Sequence, residues 1–241
     1  MPQFVDGDVS LDYEVHGSGQ PILLIAPGGL RSERGFWQNS PLDPVAELSG
    51  HFQVIAMDQR NAGRSSGPIE ADHNWSTYTR DQLALMSHLG HQQFGVVGMC
   101  IGGPYILNLL ATAPERVRAS AVMQTIGRDA NYQEFLDMFN GWAQQLHAGN
   151  PDGYPEDLLG SMRARMLEND LTFMCMPESQ VQTLHAPMLI LDGNDTYHPA
   201  SSSQTLAQLQ PQAERMQRWK EEPDLSEAKS RMLAFFQQHL H

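Results

Sequence analysis

Cys100 is held in the stretch Gly98-Met99-Cys100-Ile101-Gly102-Gly103, a thiol with small residues two places before it and two and three places after it. Phe94-Gly95-Val96-Val97 ahead of it reads as a short buried strand, and Tyr105 to Ala111 behind it reads as a helix packed on a sheet. A strand, a sharp turn and a helix with this spacing of small residues put a nucleophile on display. The nucleophile is held at strained backbone angles, and the neighbouring chain comes too close to admit a Cβ. A sulfur at a helix N-terminus is favoured as the thiolate, the form that attacks carbon. The plainer alternative is a structural cysteine buried beside a glycine-rich turn, since free cysteine is among the most buried residue types.

The elements that must position this thiol alternate along the chain. Strands are expected at Val9 to His16, Ile22 to Ala26, Phe52 to Met57, Val117 to Gln124, Pro187 to Asp192 and Glu214 to Trp219. Helices are expected from about Tyr78 to Leu89 and from about Leu225 to His239. Short apolar strands alternating with helical patterns predict an α/β fold: a mostly parallel sheet flanked by helices. Between the strands ending at Gln124 and starting at Pro187, Phe135, Leu136, Met138, Phe139 and Trp142 recur at helical spacing, and Met162, Met166 and Leu167 repeat the pattern. Residues 129–184 are therefore expected to form an inserted helical cap, with 1–128 and 185–241 as the core. A cap over the carboxyl ends of the strands would exclude water and shape a pocket. Several of the 13 methionines fall in this interval, and filling an irregular core is expected of them before lining a pocket.

Composition narrows the classes. With 241 residues the chain can bury one large core, and 15 Lys+Arg against 28 Asp+Glu give a formal net charge of −13. No basic cluster suits a phosphate backbone, so no nucleic-acid partner is expected. No apolar run is long enough to span a bilayer, so no membrane partner is expected either. Met1 to Gly7 lacks the basic and apolar regions of a signal peptide. Two cysteines, Cys100 and Cys175, argue against a disulfide scaffold and for a reducing cytoplasm. A small-molecule substrate and a monomer or homodimer are the expected partners.

Four features occur in order: Pro27-Gly28-Gly29, the loop Asp58-x-Arg60-x-x-Gly63-x-Ser65, the turn at Cys100, and Gly193-Asn194-Asp195. Together they make the chain resemble the α/β-hydrolase fold family over essentially its whole length, in a cap-bearing bacterial branch. The cysteine turn followed by Gly-Gly is similar to that of dienelactone hydrolase, a cytoplasmic enzyme that opens an enol-lactone ring with Cys, His and Asp. The family resemblance implies Cys100 as nucleophile, the backbone N–H groups of Ile101 and Gly29 as the oxyanion hole, and Asp195 as the acid that orients a histidine.

The family's histidine normally follows the last strand, where this chain reads Trp219-Lys220-Glu221-Glu222-Pro223. Of the ten histidines, two are placed to substitute. His198, three residues beyond Asp195, is expected to be the base, and His73, ahead of the Tyr78 helix, is the alternative. Lys220 is a neighbouring cation or, more simply, a solvated surface lysine. A thiol needs its base less than a hydroxyl does, because environment alone can lower its pKa. The expected activity is hydrolysis of a small ester or lactone, thioesters included, through an acyl-Cys100 intermediate. An acyltransferase, a carbon–carbon hydrolase or lyase, and a non-catalytic ligand binder are the alternatives. No cofactor is expected, and no metal site, since neither a Gly-x-Gly-x-x-Gly fingerprint nor a ligand cluster is present.

Overall fold

Runs such as Pro21–Ile25 and Met188–Leu191 are apolar at every position because both faces of the strand are covered. The computed structural model describes residues 2–240; Met1 and His241, the outer ends of the expected core segments, lie outside the described residues. In chain order the strands are β1 (Gln3–Asp6), β2 (Val9–His16), β3 (Pro21–Ile25), β4 (Gln53–Met57), β5 (Phe94–Met99), β6 (Val117–Met123), β7 (Met188–Leu191) and β8 (Glu214–Met216). They form one 8-stranded sheet in the order β1-β2-β4-β3-β5-β6-β7-β8. β2 runs antiparallel to β4, and from β4 to β8 all pairings are parallel. This is the mostly parallel sheet flanked by helices expected from the sequence.

Two differences have simple causes. β1 pairs antiparallel with β2 at the sheet edge, and its side chains are mostly exposed, so it carries no apolar pattern to read. The strand expected to run to Trp219 stops at Met216, and the Trp219 indole is instead buried, donating from Nε1 to the Asp192 carbonyl at 2.7 Å.

The helices are α1 (Pro44–Leu48), α2 (Trp75–His88), α3 (Gly102–Thr112), α4 (Tyr132–Gly149), α5 (Glu156–Leu167), α6 (Glu178–Val181), α7 (Ala200–Leu209) and α8 (Asp224–His239). α2 begins at Trp75, ahead of the expected start, because Asn74 caps it. The Asn74 side chain accepts from Ser76 N at 2.8 Å, and Asn74 N donates to Thr77 Oγ1 at 3.2 Å. No helix among the described residues is long and apolar enough to cross a membrane.

α4, α5 and α6 occupy the interval between β6 and β7 and are tied to the sheet side by polar bonds. Trp142 Nε1 donates to the Asn61 carbonyl at 3.0 Å, Tyr154 Oη to Asn61 Oδ1 at 3.1 Å, and Trp75 Nε1 to the Met166 carbonyl at 3.0 Å. Asn61 belongs to the loop after β4, and that loop is itself fixed by charge. Arg60 grips Asp81 of α2 with two bonds, Nε to Oδ2 at 2.8 Å and Nη2 to Oδ1 at 2.6 Å. Both side chains are buried, so each charge depends on the other. Asp81→Ala is expected to lower stability by about 3–5 kcal/mol, the cost of leaving a buried charge unpaired. Urea unfolding measures it, and a loss below about 1 kcal/mol would show that the pair does not hold the loop.

Candidate active site

The turn between β5 and α3 places Cys100 at φ 61, in the left-handed region. Its N–H donates to the Met123 carbonyl at 3.1 Å, and its carbonyl accepts from Gly103 N at 3.1 Å and Ile126 N at 3.2 Å. A Cβ on Gly98 would lie 2.8 Å from the Gly102 carbonyl oxygen, so the first small residue of the motif is needed for the chain to turn back on itself. The thiol is buried and opens into a cavity of about 330 Å³ above the carboxyl ends of the central strands.

The imidazole comes from the loop between β7 and α7. His198 Nδ1 lies 2.8 Å from Asp195 Oδ1 and 3.0 Å from Oδ2, which assigns a proton to Nδ1 and leaves Nε2 to exchange a proton with the thiol. Asp195 Oδ1 also accepts from the backbone N–H of Tyr197 at 3.0 Å and of His198 at 2.9 Å. Gly193 allows so tight a loop: a Cβ there would meet the His198 carbonyl oxygen at 2.1 Å. Asn131, just before α4, braces the loop by donating from Nδ2 to the Thr196 carbonyl at 2.9 Å. Nε2 is buried and makes no hydrogen bond of ordinary geometry, yet it lies close enough to Cys100 for the two groups to shift each other's titration.

Those shifts favour an ion pair. Burial alone pushes the Cys100 thiol up. The nearby His198 imidazole and its charge, with the amides of Gly28 and Ile101, outweigh it and bring the pKa below that of an ordinary thiol. Burial alone pulls His198 down, but Cys100 and Asp195 outweigh it and raise the imidazole. Burial would raise Asp195, and His198 and Lys220 reverse it, so that the carboxylate is held below its usual range. Lys220 Nζ stands 3.5 Å from Asp195 Oδ2 and bonds Asn194 Oδ1.

Cys100, Asp195 and His198 are therefore adjacent. The amides of Gly28 and Ile101 are among the groups that lower the Cys100 pKa. Gly29 lines the same cavity. A helical turn over Gly29–Arg31 closes this loop, in which Arg31 N and Ser32 N bond back to the Gly28 and Gly29 carbonyls at 3.1 Å each. His73 is not an alternative base. It is fully buried, packs edge-on against Tyr78 at 5.1 Å, and does not line the cavity. Burial, reinforced by Arg60, Arg165 and Arg80, lowers its pKa to about 3. The methionines divide: Met138 and Met166 line the cavity, whereas Met162, Met174 and Met176 fill the core. Lys220, partly exposed, is paired with a carboxylate and an amide side chain. Its place in the segment that follows β8 was the available signal. No group of His, Cys, Asp or Glu among the described residues could hold a metal ion.

A family model described as alpha/beta hydrolase fold matches residues 21–221. The chain is similar to a protein of Azorhizobium caulinodans provisionally named carbamate hydrolase RutD, at 33% identity over 144 residues, 60% of this chain and 46% of that protein. It is also similar to 2-hydroxymuconate semialdehyde hydrolase of Pseudomonas putida, at 26% identity over 226 residues, 82% of this chain and 78% of that protein. The chain spans about half the length of the first curated relatives it matches. Among solved structures, the meta-cleavage product hydrolase CumD of Pseudomonas fluorescens has a TM-score of 0.74 at 20% identity, over 99% of this chain and 98% of that one, a likeness of fold.

Alkylation by iodoacetamide reads the ion pair directly. Cys100 is expected to react at neutral pH and to keep reacting below the range of a model thiol. Cys175, whose thiol burial pushes up to about 12, stays inert as an internal control. His198→Ala should slow alkylation at pH 7 about tenfold or more and move the inflection to higher pH. An unchanged profile in that variant would contradict the pairing.

Proposed function

The chain belongs to the α/β-hydrolase fold family, and on that premise we propose that it hydrolyses a small ester, lactone or thioester through a covalent intermediate on Cys100. One observation carries the reading: a buried thiol, an imidazole oriented by a carboxylate, and two backbone amides converge at one cavity.

The Cys100 thiolate attacks the substrate carbonyl carbon, and the carbonyl π electrons move to oxygen. The N–H groups of Gly28 and Ile101, with Gly29 in the same loop, stabilise that oxyanion; each such donor is typically worth about 3–4 kcal/mol in the transition state. His198, protonated, gives its Nε2 proton to the departing oxygen or sulfur as the carbonyl reforms, leaving a thioester on Cys100. Nε2 then takes a proton from water, the hydroxide adds to the thioester carbonyl, and collapse releases the acid and regenerates the thiolate. Asp195 keeps Nδ1 protonated throughout and stabilises the imidazolium. Residues 129–184 act in this scheme as a cap that screens the cavity from water, and the free thiols suit a reducing cytoplasm.

Transfer of the acyl group to an alcohol or amine is the second reading, favoured by the apolar cavity lining, which holds water poorly. Product analysis with added acceptors separates the two.

Cys100→Ala is expected to reduce kcat/KM on short-chain esters and lactones about a thousandfold or more. Rapid quenching of the wild-type enzyme followed by intact-mass measurement should show the acyl adduct on Cys100. Activity of Cys100→Ala equal to wild type, or a wild type inert to the whole panel, would overturn the proposal.

A further inference from the structure

Resting on the hydrolase reading, we propose that the cavity takes uncharged substrates carrying a compact apolar group, aromatic or branched, and rejects substrates carrying a carboxylate. Among the described residues no Lys, Arg, Asp or Glu lines it, and the ionisable groups at its wall are Cys100, His198 and Tyr197. The wall away from the sulfur is built by Trp75, Phe135, Met138, Phe139, Met166 and Leu167, of which all but Met138 are buried side chains of the core. About 330 Å³ is at the small end of ligand cavities, which run from about 300 to 1,000 Å³.

The charges that exist nearby are already committed. His198 Nδ1 is bound to Asp195, and Nε2 faces the thiol. Arg31 follows Leu30 of the wall, but its guanidinium lies along α4, with Nε and Nη2 on Gln145 Oε1 at 3.0 Å and 2.9 Å and Nη1 3.5 Å from the Met138 carbonyl. The amides of Gly28 and Ile101 and the start of α3 favour one negative charge, carried by the thiolate and then by the oxyanion. A carboxylate on the substrate would be a second negative charge, desolvated, unpaired and repelled by the first.

The test compares 4-methylphenyl acetate with 4-acetoxybenzoate, in which a carboxylate replaces the methyl group at nearly matched leaving-group reactivity. The expected kcat/KM ratio is about 100-fold or more in favour of the neutral ester. Met138→Lys, which puts a cation on the wall, should raise the value for 4-acetoxybenzoate about tenfold. Equal rates within about threefold, or preference for the anion, would overturn the proposal. Protection of Cys100 from iodoacetamide by 4-methylbenzamide and by 4-carboxybenzamide supplies a readout without turnover. If neither ester is cleaved but the neutral amide protects at a tenfold lower concentration, the selectivity stands and the hydrolase reading fails. Equal protection by the two amides, or none by either, would sink the selectivity.

Discussion

A residue with a Cβ stands at φ 61 where β5 gives way to α3, and the arrangement of the site follows from keeping it there. A left-handed non-glycine residue costs on the order of 1–3 kcal/mol. It is retained by bonds on both sides: the Cys100 N–H on the Met123 carbonyl, and the Cys100 carbonyl under the N–H groups of Gly103 and Ile126. The parallel strands supply those partners, since β5 pairs with β6 in a register that sets Met99 beside Met123. The turn lifts the side chain above the carboxyl edge of the sheet, where the loops after β3 and β7 arrive. The same turn begins α3, so the strained residue, the helix N-terminus and the Ile101 amide are one piece of backbone.

The electrostatics of the site set the Cys100 thiolate and the Asp195 carboxylate against the His198 imidazolium and Lys220. Asp195 and His198 lie on one short loop, so the acid and the imidazole are positioned by local geometry instead of by packing between distant elements. That loop is restrained from outside by Asn131 and Lys220. Lys220, in the segment after β8, stands beside the carboxylate that orients the imidazole. Beyond this group the cavity wall is apolar, and the low dielectric strengthens each interaction within it.

Much of this was legible in the residue pattern. The inner strands are continuous apolar runs, and the glycines around Cys100 announce a turn with no room for side chains. His198 could be found because it lies three residues from Asp195 on a loop at the right end of the sheet. What could not be read depends on distant neighbours. The burial of His73 against Tyr78 has no local signature in Asp72-His73-Asn74-Trp75. Lys220 gains its role from a carboxylate far away in sequence, and β1 hides because its side chains are exposed.

The coupling of Cys100 to His198 is the claim on which the rest stands, and the His198 imidazole reports it. A pH titration of the ¹⁵N-labelled imidazole by NMR, in wild type and in Cys100→Ala, measures that coupling alone. The account predicts a wild-type His198 that stays protonated above the ordinary histidine range. In Cys100→Ala its pKa should fall and its neutral form should carry the proton on Nδ1. Identical titrations in the two proteins would contradict it.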